Sequence, residues 1–262
     1  MPMPIPSSTP ELSLAQHGAC LWLTITREER RNAMSHSLLA TMADAIHAAQ
    51  QQRDIRAIVI TGAGTKAFCA GADLQTANAF TTDHSEPQGH LARVLRAARA
   101  SNIPLIARVN GACMAGGMGL LSMCDMAVAA RHAVFGLPEV KLGLFPAQVL
   151  SVLQHLIPRR ALVEMCLTGE PISSAQALEF GLVNYVDDDV DAKLQWLLER
   201  MLDKSPAAIR RGLYTLKRVE SLAFEESISF TESQIALFTL TEDAQEGQKA
   251  FQEKRKPVWT GK

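Results

Sequence analysis

The sequence predicts an α/β fold with largely buried strands, followed by a wholly helical C-terminal region. Three observations carry this reading. Strand-like, loop-like and helix-like segments alternate over residues 19–119. Two glycine-rich segments fall just past strand candidates, where α/β proteins commonly build their sites. From about Asp191 onward, helical periodicity is the only pattern left.

The first strand candidate is residues 19–26 (ACLWLTIT), an apolar, partly β-branched run that stops at the charged cluster 27–31. A helix follows over residues 35–52, with Leu38, Leu39, Met42, Ile46 and Ala49 at helical spacing and Ser35 as N-cap. Residues 55–61 (IRAIVIT) form a short buried strand that enters the turn Gly62-Ala63-Gly64. The unit then recurs. Residues 91–100 read as a helix, 103–109 (IPLIARV) as a strand, and Asn110-Gly111 as a turn into the small-residue segment 112–119. The polar stretch 76–89 reads as a mobile loop flanking a pocket. Four helices complete the chain, over residues 192–202, 207–219, 224–239 and 243–254. Their apolar faces have no following strand to cover them, so they are expected to pack on the core and on neighbouring subunits.

A length of 262 residues suits one α/β domain with a modest appendage. The expected division is a disordered tail over residues 1–10, a core over 11–190 and a helical region over 191–262. The tail carries four prolines and no basic-then-apolar leader pattern. No apolar stretch is long enough to span a bilayer, so no membrane partner and a cytoplasmic location are expected. Lys plus Arg (26) nearly balance Asp plus Glu (27), which removes the electrostatic case for nucleic acid. Five cysteines at irregular spacings form no zinc pattern and read as reduced thiols. The seven histidines are scattered, with no metal or triad spacing, and none is assigned a role.

Glycines after strands also mark nucleotide sites, but the spacing here is wrong. Gly62-Ala63-Gly64-Thr65-Lys66-Ala67 lacks the third glycine of a dinucleotide fingerprint, and no P-loop pattern occurs. Three segments stand out together: Lys66-Ala-Phe-Cys-Ala-Gly-Ala-Asp-Leu74, Asn110-Gly-Ala-Cys-Met-Ala-Gly-Gly-Met-Gly-Leu120, and Phe135-Gly-Leu-Pro-Glu-Val140. The first two are loops lined by Gly and Ala, whose exposed N–H groups can stabilise developing negative charge. In the third, Pro138, Val140, Leu142 and Leu144 surround Glu139 with apolar groups, which raises a carboxylate toward useful acid/base values.

In this order and spacing, the three segments resemble the defining blocks of the enoyl-CoA hydratase/isomerase (crotonase) superfamily. The resemblance runs from about Leu12 to the final Glu253-Lys-Arg-Lys-Pro257. It implies a spiral of β-β-α units, a helical trimerisation region, homotrimers or hexamers, and an acyl-CoA thioester substrate. Coenzyme A is part of that substrate, and no separate cofactor or metal is implied. By position, Ala72 and Gly116 resemble the family's oxyanion-hole donors, with a helix N-terminus behind Gly116. Glu139 resembles its acid/base. Ala70, Asp73, Leu74, Gly117 and Gly119 are expected around the substrate, and Lys254 resembles a lysine that reaches coenzyme A phosphates from an adjacent subunit.

One departure bears on the reaction. The second glutamate of the usual hydratase pair falls at Gly119 in this chain. Single-glutamate relatives include Δ3,Δ2-enoyl-CoA isomerases and isohexenylglutaconyl-CoA hydratases, and the run Leu142-Gly-Leu-Phe-Pro-Ala-Gln148 is similar to the latter. The expectation is therefore hydration of a 2-enoyl-CoA of branched or glutaconyl type. The alternatives are double-bond isomerisation and a non-catalytic acyl-CoA-binding or scaffold role. Asp125 reads as structural, and Gln148 as a helix-start residue able to orient a water.

Overall fold

The computed structural model describes residues 3–75 and 85–262. The chain opens with a hairpin of β1 (Leu12–His17) and β2 (Cys20–Ile25), then α1 (His36–Ala49), capped by Ser35, whose side chain accepts the Leu38 N–H at 3.1 Å. Two β-β-α units follow: β3 (Ala57–Gly62), β4 (Ala67–Cys69) and α2 (His90–Ala100); then β5 (Leu105–Val109), β6 (Ala112–Met114) and α3 (Gly116–Ser122). Next come β7 (Met126–Ala130), β8 (Val134–Gly136), α4 (Leu150–Leu153), α5 (Arg159–Thr168), β9 (Ile172–Ser173), α6 (Ser174–Glu179) and β10 (Tyr185–Asp187). The helical region is α7 (Val190–Leu202), α8 (Pro206–Val219), α9 (Phe224–Thr239) and α10 (Glu242–Gln252). The unit repeated in the sequence is thus the β-β-α unit of a crotonase-like spiral.

The first strand of each unit joins one sheet and the second joins another. Among the described residues, a six-stranded sheet runs β1-β2-β3-β5-β7-β10 and a four-stranded sheet runs β4-β6-β8-β9. In the large sheet β2, β3, β5, β7 and β10 are parallel, and only the β1 hairpin is antiparallel. Both faces of this sheet are covered, which explains the continuous apolar runs. Ile58 and Ile60 of β3 enter the main core, whereas the alternate residues Ala57 and Val59 pack toward Val190, Leu194, Leu197 and Leu198 of α7.

The C-terminal helices are tied to the core by polar contacts as well. Arg210 on α8 donates to the carbonyls of Gln50, Gln52 and Ile55, satisfying backbone groups at the end of α1 and beyond. Lys217 pairs with Asp125 at 2.9 Å, and Asp125 also accepts the Leu105 N–H that opens β5. That is the structural role expected of Asp125.

Sequence reading missed β1, in which only Leu12 is fully buried, and assigned no helix or strand over residues 126–187. The tail read as disordered has no helix or strand from Met3 to Thr9. It lies along the core, with Met3 donating to Gln51 Oε1 at 2.7 Å and Ile5 against the main apolar cluster. Of the loop expected over 76–89, residues 76–84 lie outside the described residues, and 85–89 are exposed and irregular. No helix among the described residues is long and apolar enough to cross a membrane.

Candidate active site

The three sequence blocks lie on neighbouring strands of the small sheet. Strand β4 pairs parallel with β6 (Cys69↔Cys113), and β6 pairs parallel with β8 (Cys113↔Phe135). Each block therefore leaves its strand at the same, carboxyl end of the sheet: residues 70–74 after β4, 115–116 after β6 and 138–139 after β8. This is where parallel strands open a crevice. A cavity of about 630 Å³ lies there, and Ala70, Ala72, Leu74, Ala115, Gly116 and Glu139 all line it.

The first two loops touch. A Cβ built on Gly116 would lie 3.9 Å from the Ala72 nitrogen, and one on Gly71 would lie 2.8 Å from the Ala115 Cβ. Glycine at 71 is thus required by contact and by its φ of +97°. Ala72 forms an isolated parallel bridge with Met34, in which Met34 donates to the Gly71 carbonyl (2.7 Å) and Asp73 donates to that of Met34 (3.0 Å). In that pattern the Ala72 N–H faces away from Met34. Neither the Ala72 nor the Gly116 N–H donates to another described group. Ala115 has φ +51° and ψ −125°, a backbone state costing about 1–3 kcal/mol for a residue with a Cβ. Its N–H donates to the Gly136 carbonyl at 2.9 Å, locking the second block onto the third. Two adjacent backbone donors on one wall form a cradle for an oxyanion.

Glu139 follows Pro138 in the 3-10 turn Pro138–Leu142. Its Oε2 is buried with no hydrogen-bond partner among the described residues. Burial raises its carboxyl above the ordinary 4.5, against the opposing pull of its own backbone N–H. A half-buried, raised carboxyl with one oxygen unpartnered among the described residues, lining the same cavity as the two donors, is equipped to carry a proton.

Other expected site residues separate into two groups. Ala70 and Leu74 are on the cavity wall. Asp73 is not: its carboxylate takes the Arg27 guanidinium at 2.6 Å and the Gln75 N–H at 3.1 Å. That Arg27 bond holds it below the usual 3.8. Gly117 and Gly119 are also off the wall. A Cβ on Gly117 would lie 2.4 Å from the Cys69 carbonyl oxygen, and one on Gly119 would lie 3.0 Å from Val149 Cγ1, so both serve close packing. Lys254, just past α10, does not line this cavity. The helix behind Gly116 is real but has only seven residues.

Four wall residues escaped the sequence reading or received no firm role. Val149 occupies the space toward which position 119 faces, and Gln148 lies beside it. His36 and His90 begin α1 and α2 and stack on one another, with ring centroids 4.5 Å apart and planes at 25°. Both histidines are helix-start residues distant in sequence, and no spacing rule joins them.

The fold of β-β-α units agrees with what comparison with known proteins finds. The enoyl-CoA hydratase/isomerase family model matches residues 16–262, and the chain belongs to this family of enzymes. It is 33% identical over 260 residues to a 2,3-dehydroadipyl-CoA hydratase of Escherichia coli (strain K12), covering 96% of this chain and 99% of the relative. It is 34% identical over 259 residues to the enoyl-CoA hydratase EchA19 of Mycobacterium tuberculosis, covering 95% and 96%. The crystal structure of an enoyl-CoA hydratase from Mycobacterium smegmatis superposes with a TM-score of 0.88 at 31% identity, covering 96% of this chain and 99% of that one.

Proposed function

We propose that the cavity adds water to the double bond of a 2-enoyl-CoA thioester. The Ala72 and Gly116 N–H groups hold the thioester oxygen, and Glu139 moves the proton. Water attacks the β-carbon while Glu139 takes one of its protons. The π electrons shift toward the carbonyl, and the resulting enolate oxygen rests between the two donors. Glu139 then returns a proton to the α-carbon. One carboxylate thus acts as base and acid in turn, and no separate cofactor takes part. The observation that carries this reading is that two backbone N–H groups without a partner among the described residues and a carboxylate with one unpartnered oxygen line the same cavity.

Gly119 favours a second reading, because one carboxylate is enough to move a proton between two carbons of a 3-enoyl-CoA. Mass spectrometry of products formed in deuterated water separates the two. Hydration yields a 3-hydroxyacyl-CoA from a 2-enoyl-CoA. Label entering carbon with no hydroxyl product from a 3-enoyl-CoA would select isomerisation instead. The hydratase names of the relatives support hydration, and the single carboxylate supports a branched or glutaconyl-type acyl group that helps place its own water.

The same reading includes assembly. Phe224 and Ile235 of α9, Leu240 just past it and Phe251 of α10 stand 66% to 86% exposed, a degree of apolar exposure that isolated chains avoid. We assign this surface to a homotrimer or a hexamer of two trimers, with Lys254 reaching a neighbour's coenzyme A phosphates. Sedimentation equilibrium showing a stable monomer at micromolar concentration would remove both assignments.

A further inference from the structure

We infer that Met34 is a site of peroxide oxidation, at which one added oxygen closes the oxyanion cradle. The inference rests on the thioester reading above, because its consequence is loss of the two N–H donors assigned there. Met34 touches both loops of the cradle. Its backbone holds the Ala72 segment, donating to the Gly71 carbonyl at 2.7 Å and accepting from the Asp73 N–H at 3.0 Å. Its side chain reaches the other loop: Met34 Cε lies 2.7 Å from where a Cβ on Gly116 would be, a point 3.9 Å from the Ala72 nitrogen. The thioether therefore ends beside the two N–H groups that have no partner among the described residues.

The chain has ten methionines and five cysteines, and among the described residues lining the cavity Met34 is the only one that bears sulfur. Met34 is 5% exposed, yet the wall it belongs to runs out to the exposed Leu142 and Phe145, so a molecule little larger than water reaches it. Met42, Met118 and Met165 are buried in the core, away from this wall. The cysteines compete poorly. Burial pushes all five thiols up, Cys69 to about 12, and peroxide attacks the thiolate. A thioether needs no deprotonation. A lone pair on Met34 Sδ attacks one oxygen of hydrogen peroxide, so an S–O bond forms as the O–O bond breaks. Sulfur is oxidised, the peroxide is reduced, and its second oxygen leaves as water with both protons. The thioether, a weak acceptor, becomes a polar sulfoxide. The open donors beside the new oxygen are those of Ala72 and Gly116, and left unpaired it would carry the full cost of its desolvation. It thus takes the place of the thioester oxygen.

The test treats the folded wild type with hydrogen peroxide and follows each methionine by peptide mass spectrometry. Alongside, kcat/KM and Kd are measured with crotonyl-CoA and glutaconyl-CoA, and circular dichroism monitors the fold. Met34 should gain one oxygen, and protein carrying it should have a kcat/KM about 100-fold lower, the effect of losing a cradle donor. Saturating thioester should slow oxidation at Met34 but not at the exposed Met3. Met34→Leu, a swap of similar volume, should keep its own untreated rate through the same treatment. Should that variant fail to fold, protection of Met34 by thioester in the wild type decides. Complete Met34 oxidation with unchanged kcat/KM and Kd, a Leu variant inactivated like the wild type, or Met34 oxidation indifferent to bound thioester would overturn the inference. So would inactivation that comes only with loss of the fold. An untreated protein that binds a thioester but hydrates neither would sink the hydratase reading alone. Kd then reads the cradle, and weaker binding after Met34 oxidation upholds the inference. Binding of neither thioester would sink both.

Discussion

A side chain on Gly119 would meet Val149, whose Cγ1 lies 3.0 Å from where the Cβ would be. The place where a second carboxylate would project is thus filled by a wall residue. Gly119→Glu alone should therefore destabilise the protein by about 1–3 kcal/mol through overpacking and should not speed crotonyl-CoA hydration. Combining it with Val149→Ala makes room, and hydration should rise. Thermal denaturation and kcat/KM check both halves. A faster single variant of unchanged stability would show that position 119 is open to the cavity.

The backbone donors can be tested without removing a side chain. Gly116 is the first residue of α3, where proline's fixed φ is tolerated and no helical hydrogen bond is lost. Gly116→Pro should lower kcat by about 100- to 1000-fold. Gly116→Ala keeps the N–H and presses only on the flexible end of Met34, so its loss should be much smaller. Equal activity of the Pro variant and wild type would remove Gly116 from the oxyanion cradle.

Which parts of this site were legible beforehand follows from range. Strand and helix positions were readable wherever a local period dominated, as in β3 and α1, because both faces of β3 and one face of α1 are buried. β1 was not, since only Leu12 is buried and the remaining residues carry little alternation. Ala72, Gly116 and Glu139 could be singled out because each stands in a distinctive block, and all three line one cavity. That Asp73 and Gly119 leave the wall was not, because Arg27 and Val149 meet them only in three dimensions. The His36–His90 stack depends on how two helices pack and has no local signature.

Asp73 should behave as a structural residue. Its side chain is 6% exposed and that of Arg27 12%, and Arg27 also binds Glu11 at 3.0 Å. Asp73→Ala leaves the buried guanidinium with Glu11 as its remaining carboxylate partner and one N–H unsatisfied, and should cost about 1–3 kcal/mol of stability, with thioester affinity unchanged in the folded protein. Because the Arg27 hydrogen bond depresses the Asp73 pKa, this stability is present above pH 3.8 and is lost as pH falls through the lower folded value. Denaturation with and without substrate reads both; a large affinity loss in a stable variant would return Asp73 to the substrate.

Glu139 carries the opposite sign. Burial raises its pKa above 4.5, so its protonated form is favoured by folding; that contribution is full below 4.5 and is lost as pH rises through the raised value. Glu139→Gln should thus gain in melting temperature relative to wild type on going from acid to neutral pH. The acid limb of wild-type kcat/KM should inflect above 4.5. A limb at the ordinary glutamate value would show a solvated carboxylate.

The central claim is that Glu139 carries the proton while the backbone cradle holds the thioester. Its most direct test is to measure kcat and thioester Kd for Glu139→Gln beside wild type, on the 2-enoyl-CoA that the wild type turns over fastest. The expected result is a fall in kcat of about a hundredfold or more with Kd nearly unchanged. Turnover by the Gln variant at a large fraction of the wild-type rate would contradict it.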